Sequence, residues 1–86
     1  MAEEKVGIVE KYFAKIGVAA VTVTSGSIDL GDTLHFVGHT TDFTQVVDSM
    51  QVEHQSVQSA EVGQSIGLKV RERVRPHDEV FKVTED

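Results

Sequence analysis

The sequence predicts an all-β fold: a small antiparallel β-barrel, closed or partly open, of about six to seven strands. Three observations predict it. Apolar residues recur with a period of two rather than 3.6. β-Branched residues, which suit a pleated surface, are abundant. Gly17, Gly26, Gly31, Gly38 and Gly63 fall between the candidate strands as turn punctuation.

The elements follow in chain order. A first strand is predicted over residues 6–13 and a second over 18–24. In "GVAAVTVT" the second strand puts Ala19, Val21 and Val23 on one face and Ala20, Thr22 and Thr24 on the other. A third strand covers 33–37, with Leu34 and Phe36 on one side of "DTLHFVG" and Thr33, His35 and Val37 on the other. The next, over 44–53, changes phase: Val47 is apolar on an odd position, Met50 and Val52 on even ones. A β-bulge at Asp48–Ser49 would turn all three toward the core and help the sheet close. A short strand is expected near 56–60. The penultimate strand is expected over 65–74, ended by Pro76, the one proline in the chain. A last strand covers 80–83. No ten-residue segment carries a helical stripe, and no linker or repeat divides the chain, so residues 1–86 are expected to form a single domain.

Composition narrows the chemistry. With no cysteine, thiolate catalysis and a zinc ribbon are excluded. The start "MAEEKVG" lacks the basic and apolar parts of a signal peptide, and no run approaches the roughly 20 apolar residues of a membrane span. A cytoplasmic protein without a membrane partner is expected. No phosphate loop, nucleophile elbow or zinc helix is present, so neither an enzyme nor a nucleotide site of its own is predicted. His35, His39, His54 and His77 lack metal-ligand spacing; no metal and no cofactor is expected.

One stretch stands out. "GLKVRERVRPHDE" holds Lys69, Arg71, Arg73 and Arg75, half of the eight basic side chains in a chain of net charge −6. If Ile66, Leu68 and Val70 face the core, the four cations project from the other face, about 6.5–7 Å apart along the strand. Such a row matches the scale of a nucleic-acid backbone. Cations on an exposed strand also guard against edge-to-edge aggregation, and Glu10 or Glu53 across the sheet could neutralise them. Glu72 alone breaks the apolar set.

The pieces "VGIVEKYFAKIGVAAVTV", "GSIDLGDTLHFVG", "VVDSMQVEH", "AEVGQSIGLKV" and "DEVFKV" resemble, in order and from Val6 to Val83, the second domain of translational GTPases such as elongation factor Tu. The version with "GHTTDFTQ" and "HDEVFKV" is also similar to short free-standing prokaryotic proteins called elongation-factor-like, and a related barrel ends some collagenase-like peptidases. The resemblance implies a non-catalytic, translation-related binding module that touches tRNA or ribosomal RNA. It places Ser65, in "GQSIG", where the family has a polar residue near the aminoacyl group, and matches Arg71 to a basic residue common after the penultimate strand. Glu72 stands where a glycine is usual. The aromatic and acidic residues of the aminoacyl pocket do not map cleanly onto "EKYFAKIG", so that pocket is not carried over. The expected partner is RNA or the ribosome, held by Lys69, Arg71, Arg73 and Arg75 with Ser65 as a polar contact. The alternative is a protein partner for an adaptor that binds no RNA.

Overall fold

The computed structural model describes residues 2–84, and within them every regular element is a strand. The ten are β1 (Ala2–Phe13), β2 (Val18–Val23), β3 (Ser27–Asp29), β4 (Thr33–Val37), β5 (Asp42–Val46), β6 (Met50–Val52), β7 (Gln55–Ser56), β8 (Ser59–Glu61), β9 (Ser65–Lys69) and β10 (Glu79–Thr84). Eight form one antiparallel sheet in the order β5-β4-β10-β1-β2-β9-β6-β7, and β3 pairs with β8 in a second, two-stranded sheet. Main-chain pairing therefore leaves the large sheet open, with β5 at one edge and β7 at the other.

The period-two faces hold. Ala19, Val21 and Val23 on β2, Leu34 and Phe36 on β4, and Ile66 and Leu68 on β9 are buried, and the residues between them are half-buried or exposed. Ile28 and Ala60 from the small sheet join the same core. β1 is long and carries two register shifts, between Lys5 and Gly7 and between Val9 and Lys11. These let one strand serve β10 along its first half and β2 along its second, with Val6 and Val9 kept inside.

Four expectations need correction. First, β1 begins at Ala2, not Val6. Second, the strand expected over 44–53 is two strands, β5 and β6. Rather than a bulge, residues 47–49 leave the ladder: Val47 donates to Asp32 O (2.8 Å) and accepts from Gly31 N (2.9 Å). The chain thus changes partners to bury both Val47 and Met50, and Val52 packs against the core from β6. Third, the region near 56–60 contributes the ends of two short strands, β7 and β8, which pair with different elements.

Fourth, the basic strand stops at Lys69, well before Pro76. β2, its neighbour, begins at Val18, which is the partner of Lys69. One further bond, Val70 N to Gly17 O (3.0 Å), ends the contact. Continued alternation would turn Glu72 inward with Val70 and Val74, and an unpaired buried carboxylate is strongly disfavoured. The chain instead crosses residues 70–78 as an irregular segment that buries Val70 and Val74 and leaves Glu72 exposed.

Candidate nucleic-acid interface

The segment from Lys69 to Asp78 is irregular but tied down at both ends. At its start, the Gln45 side chain reaches across from β5. Its Nε2 donates to Lys69 O (2.7 Å), and its Oε1 accepts from Arg71 N (2.9 Å). A carbonyl and an amide two residues apart, bonded to one amide group, form the contact that a single residue of a parallel strand makes. Gln45 thus stands in for a missing strand and draws the open edge of the sheet to the end of β9.

At the far end, Asp78 is 6% exposed. Its Oδ2 accepts from Thr41 Oγ1 (2.6 Å) and from Arg75 N (2.9 Å). Main-chain bonds from His77 N to Val9 O (2.7 Å) and from Val9 N to Asp78 O (2.8 Å) fasten the same turn to β1. His77 takes a left-handed backbone conformation, φ 77°, which lets Asp78 turn inward. Between these anchors Val74 is fully buried.

All four predicted cations are exposed, but they do not form one row. Lys69 and Arg71 line a depression of about 500 Å³ at the sheet's open seam, together with Gln45, Val46, Asp48 and Ser49. Arg75 lines a different depression, with Lys5, His39 and Pro76. Arg73 lies between, exposed. The Arg71 guanidinium sits 5.9 Å from the centroid of the Phe43 ring, and its Nε is 3.9 Å from a Glu72 carboxylate oxygen. Among the described residues neither Glu10 nor Glu53 pairs with this group, and Lys69, Arg73 and Arg75 form no ion pair. By contrast Lys5 pairs with Glu79 at 2.9 Å and Lys82 with Asp32 at 3.0 Å.

Ser65 opens β9 on the other side of the sheet's end, exposed, across from Thr22. It lines a third depression, of about 380 Å³, with Phe13, Ile16, Ala20 and His54. The structure therefore does not bring Ser65 and the seam cations Lys69 and Arg71 into one depression.

The histidines are dispersed. His35 is gripped by two carboxylates: Nδ1 lies 2.9 Å from Glu3 Oε1 and Nε2 lies 2.5 Å from Asp42 Oδ1. The Asp42 bond first, and the Glu3 bond after it, hold its imidazolium form above the usual histidine range. His39, His54 and His77 are exposed. Among the described residues no group of three or more His, Cys, Asp or Glu side chains is placed to hold a metal ion, and no helix is long and apolar enough to cross a membrane. Asp29 accepts from Ser27 Oγ (3.1 Å) beside Lys82, and a hydrogen bond with Ser59, its partner across β8, holds its carboxyl below the usual carboxylate range.

Two residues central to this geometry, Gln45 and Asp78, were not singled out by the sequence. Gln45 left a trace, a polar side chain two positions after Phe43 and so on the inward face of an edge strand. Asp78 left another, a turn-forming residue after a proline.

The model of elongation factor Tu domain 2 matches residues 17–80. A collagenase of Porphyromonas gingivalis is 38% identical over 73 residues, 84% of this chain and 20% of that protein. An uncharacterized protease of Methanocaldococcus jannaschii is 33% identical over 82 residues, 94% of this chain and 20% of that protein. The chain thus spans about a fifth of the length of the curated relatives it matches. Among solved structures, the C-terminal domain of a Geobacillus thermoleovorans putative U32 peptidase superposes with a TM-score of 0.86 at 25% identity, covering 94% of this chain and 93% of that one. A selenomethionine variant of the same domain gives 0.84 at 26%, covering 90% of this chain and 96% of that one. With the family match running from the β1–β2 turn into β10, the chain belongs to the elongation factor Tu domain 2 family.

Proposed function

We propose that the chain is a non-catalytic, translation-related binding module that contacts RNA, tRNA or ribosomal RNA, through Lys69, Arg71, Arg73 and Arg75. We read its open sheet, bridged by Gln45, as a partly open barrel of the domain 2 type. The observation that carries the reading is the state of these cations. A segment of seven residues holds four of the chain's eight basic side chains, all exposed, and among the described residues three of the four make no ion pair. In a chain of net charge −6, with acids available to pair them, four cations left to solvent on a fixed backbone suit an anionic partner. A ribosomal or tRNA partner puts the work of the module in the cytoplasm.

The test is a titration of labelled tRNA and ribosomal RNA at about 50 mM and 200 mM salt. Contact through these cations predicts binding at low salt, with log K falling against log salt by about 0.7–0.9 per phosphate neutralised. Reversal of Lys69, Arg71 and Arg73 to glutamate abolishes it. No binding at low salt, or equal binding by the reversed protein, removes the reading.

A second reading rests on different residues. Phe13 and Ile16 are exposed at the β1–β2 turn and border the depression that holds Ser65. The named relatives include a collagenase and the C-terminal domain of a putative U32 peptidase. On this reading the chain is an adaptor that docks on a peptidase-like protein and binds no RNA. Recovery of one stable protein partner from native cells, lost with Phe13→Ser and Ile16→Ser, supports it; recovery unchanged in that pair sinks it.

A further inference from the structure

The large sheet has two edges, β5 and β7, and they are unlike. β7 has two residues and offers almost no ladder. β5 has five, "DFTQV", with no proline, glycine, lysine or arginine to blunt it. Its hydrogen-bond phase is fixed at both ends of the β4–β5 hairpin. Gly38 and Thr41 exchange main-chain bonds at the turn, and Val47 N donates to Asp32 O at the other end. Bonded pairs alternate along an antiparallel ladder. Between these ends the bonded residues are therefore Phe43, opposite Phe36, and Gln45, opposite Leu34. The N–H and C=O groups of Asp42, Thr44 and Val46 point away from β4. Among the described residues no hydrogen bond reaches those main-chain groups, and all three residues are exposed.

The space beside this edge is open as well. Side chains stand roughly perpendicular to their sheet. Phe43 is buried on the inner face, and Gln45, two residues on, points the same way and meets Lys69 and Arg71 there. The segment after β9 thus crosses beneath β5 rather than beside it.

The edge is complementary to itself. With full overlap of its five residues, an antiparallel second copy has one register, centred on Thr44. Thr44 then faces Thr44 across the two-fold axis, and Asp42 faces the second copy's Val46 at each end. Every residue with free main-chain groups meets another, so each pair exchanges two bonds. Thr–Thr pairs are favourable across strands, and no like charges are opposed. The second copy's Asp42 also falls beside Val46, at the rim of the depression that Val46 shares with Lys69 and Arg71. An acid of one copy is brought toward cations of the other.

We infer that two copies of this chain pair antiparallel along β5, Thr44 on Thr44, and join their sheets across a two-fold axis. This goes beyond the RNA reading and does not rest on it. A five-residue edge buries less than a standard interface, so the dimer is a weak one, with Kd on the order of 100 µM.

The experiment is sedimentation velocity on the full chain from about 10 µM to about 1 mM, with oxidative cross-linking beside it. The mean mass should rise from one chain toward two over that range. Thr44→Pro tests the edge. Proline is tolerated on an edge strand where its N–H would face solvent, and here it removes one donor from each copy. The dimer should weaken at least about fivefold, with melting curves showing the variant folded. Because the chain has no cysteine, one introduced thiol reports the register. Thr44→Cys puts two Cα atoms about 5.5 Å apart across the axis, within disulfide range. Val46→Cys puts them about 13–15 Å apart, out of range. Cross-linking should be at least about tenfold faster at position 44. If Thr44→Pro does not fold, this pattern decides. A chain that stays monomeric at about 1 mM overturns the inference, even if its edge takes up an unrelated extended peptide. A dimer as tight in Thr44→Pro as in the wild type, or equal cross-linking at the two positions, overturns it as well.

Discussion

Replacing Gly38 by alanine adds one methyl group at the most crowded of the chain's seven glycines. The new Cβ would lie 1.9 Å from Asp78 Oδ1 and 2.5 Å from its Cγ, well inside the contact distance of about 3.5 Å. Gly38 is not among the glycines in the left-handed region, so its backbone accepts alanine and the effect is one of space alone. Asp78 must then move. Its Oδ2 would lose Thr41 Oγ1 and Arg75 N, two hydrogen bonds to a carboxylate worth about 1.5–3 kcal/mol each. A loss of about 3–6 kcal/mol follows, in a chain whose total stability is on the order of 4–13 kcal/mol for its length. Since about 1 kcal/mol moves the midpoint by roughly 4–8 °C at this size, thermal unfolding followed by circular dichroism should shift down by at least about 12 °C. The double variant Gly38→Ala, Asp78→Ala isolates the cause. Without the carboxylate the alanine has room, and its added effect should fall below about 1 kcal/mol. A shift under about 5 °C for the single variant, or an equal effect in both backgrounds, refutes the reasoning.

Three other outcomes follow from the same geometry. Gln45→Ala leaves Lys69 O and Arg71 N to water rather than to an amide, which should lower stability by about 1–2 kcal/mol; an unchanged melting midpoint would mean that the seam does not need its bridge. His35 has its folded pKa raised above 6.5 by Asp42 and then Glu3, so its contribution is full below pH 6.5 and fades as pH rises through the folded value. His35→Gln should therefore destabilise more at pH 6 than at pH 8.5, and melting curves showing the reverse order, or no difference, reject the clamp. Glu53 and His54 both carry positive φ, 50° and 65°, in the two-residue turn between β6 and β7. Such turns favour Asn-Gly, so Glu53→Asn with His54→Gly should raise stability by about 1 kcal/mol, and a lower midpoint in denaturant would argue against this turn.

The sequence reveals what its periodicity controls. β2, β4 and β9 each show a clean two-residue alternation because one face meets the core, and their buried sets are the ones read from the residues. The phase slip between Val47 and Met50 was visible too, but periodicity does not say how a backbone resolves a slip. Here the partner was the Gly31–Asp32 turn, remote in sequence. β3 and β8 have three residues each, too few for a pattern, and exist because they pair with each other. Gln45 and Asp78 are harder still: Gln45 acts on the backbone of Lys69 and Arg71 and Asp78 on the hydroxyl of Thr41, all remote in sequence, so each role is a property of the fold. The end of the basic strand was the one misreading with a clue in plain view. Glu72 sits at the inward register, and a strand that continued past Lys69 would have carried it inside.

That clue changes what the alternating charges mean. A strand would present four cations as a straight row, suited to tracking consecutive phosphates of a rigid duplex. The observed segment breaks the alternation at Glu72, which is exposed, and follows no strand, while Val70 and Val74 stay inside and the cations outside. Its backbone is held by Gly17 and Gln45 at one end, by Val74 in the core, and by Asp78 and Val9 at the other. Charges on such a fixed but bent path approach a partner from more than one direction. Lys69 and Arg71 face the seam, while Arg75 borders the depression shared with Lys5 and His39. A stiff duplex meets such a set poorly, because contact at one depression does not align its phosphates with the other. The irregular segment thus has two causes that coincide at Lys69: β2 offers no partner beyond Val18, and the carboxylate of Glu72 is turned away from the core.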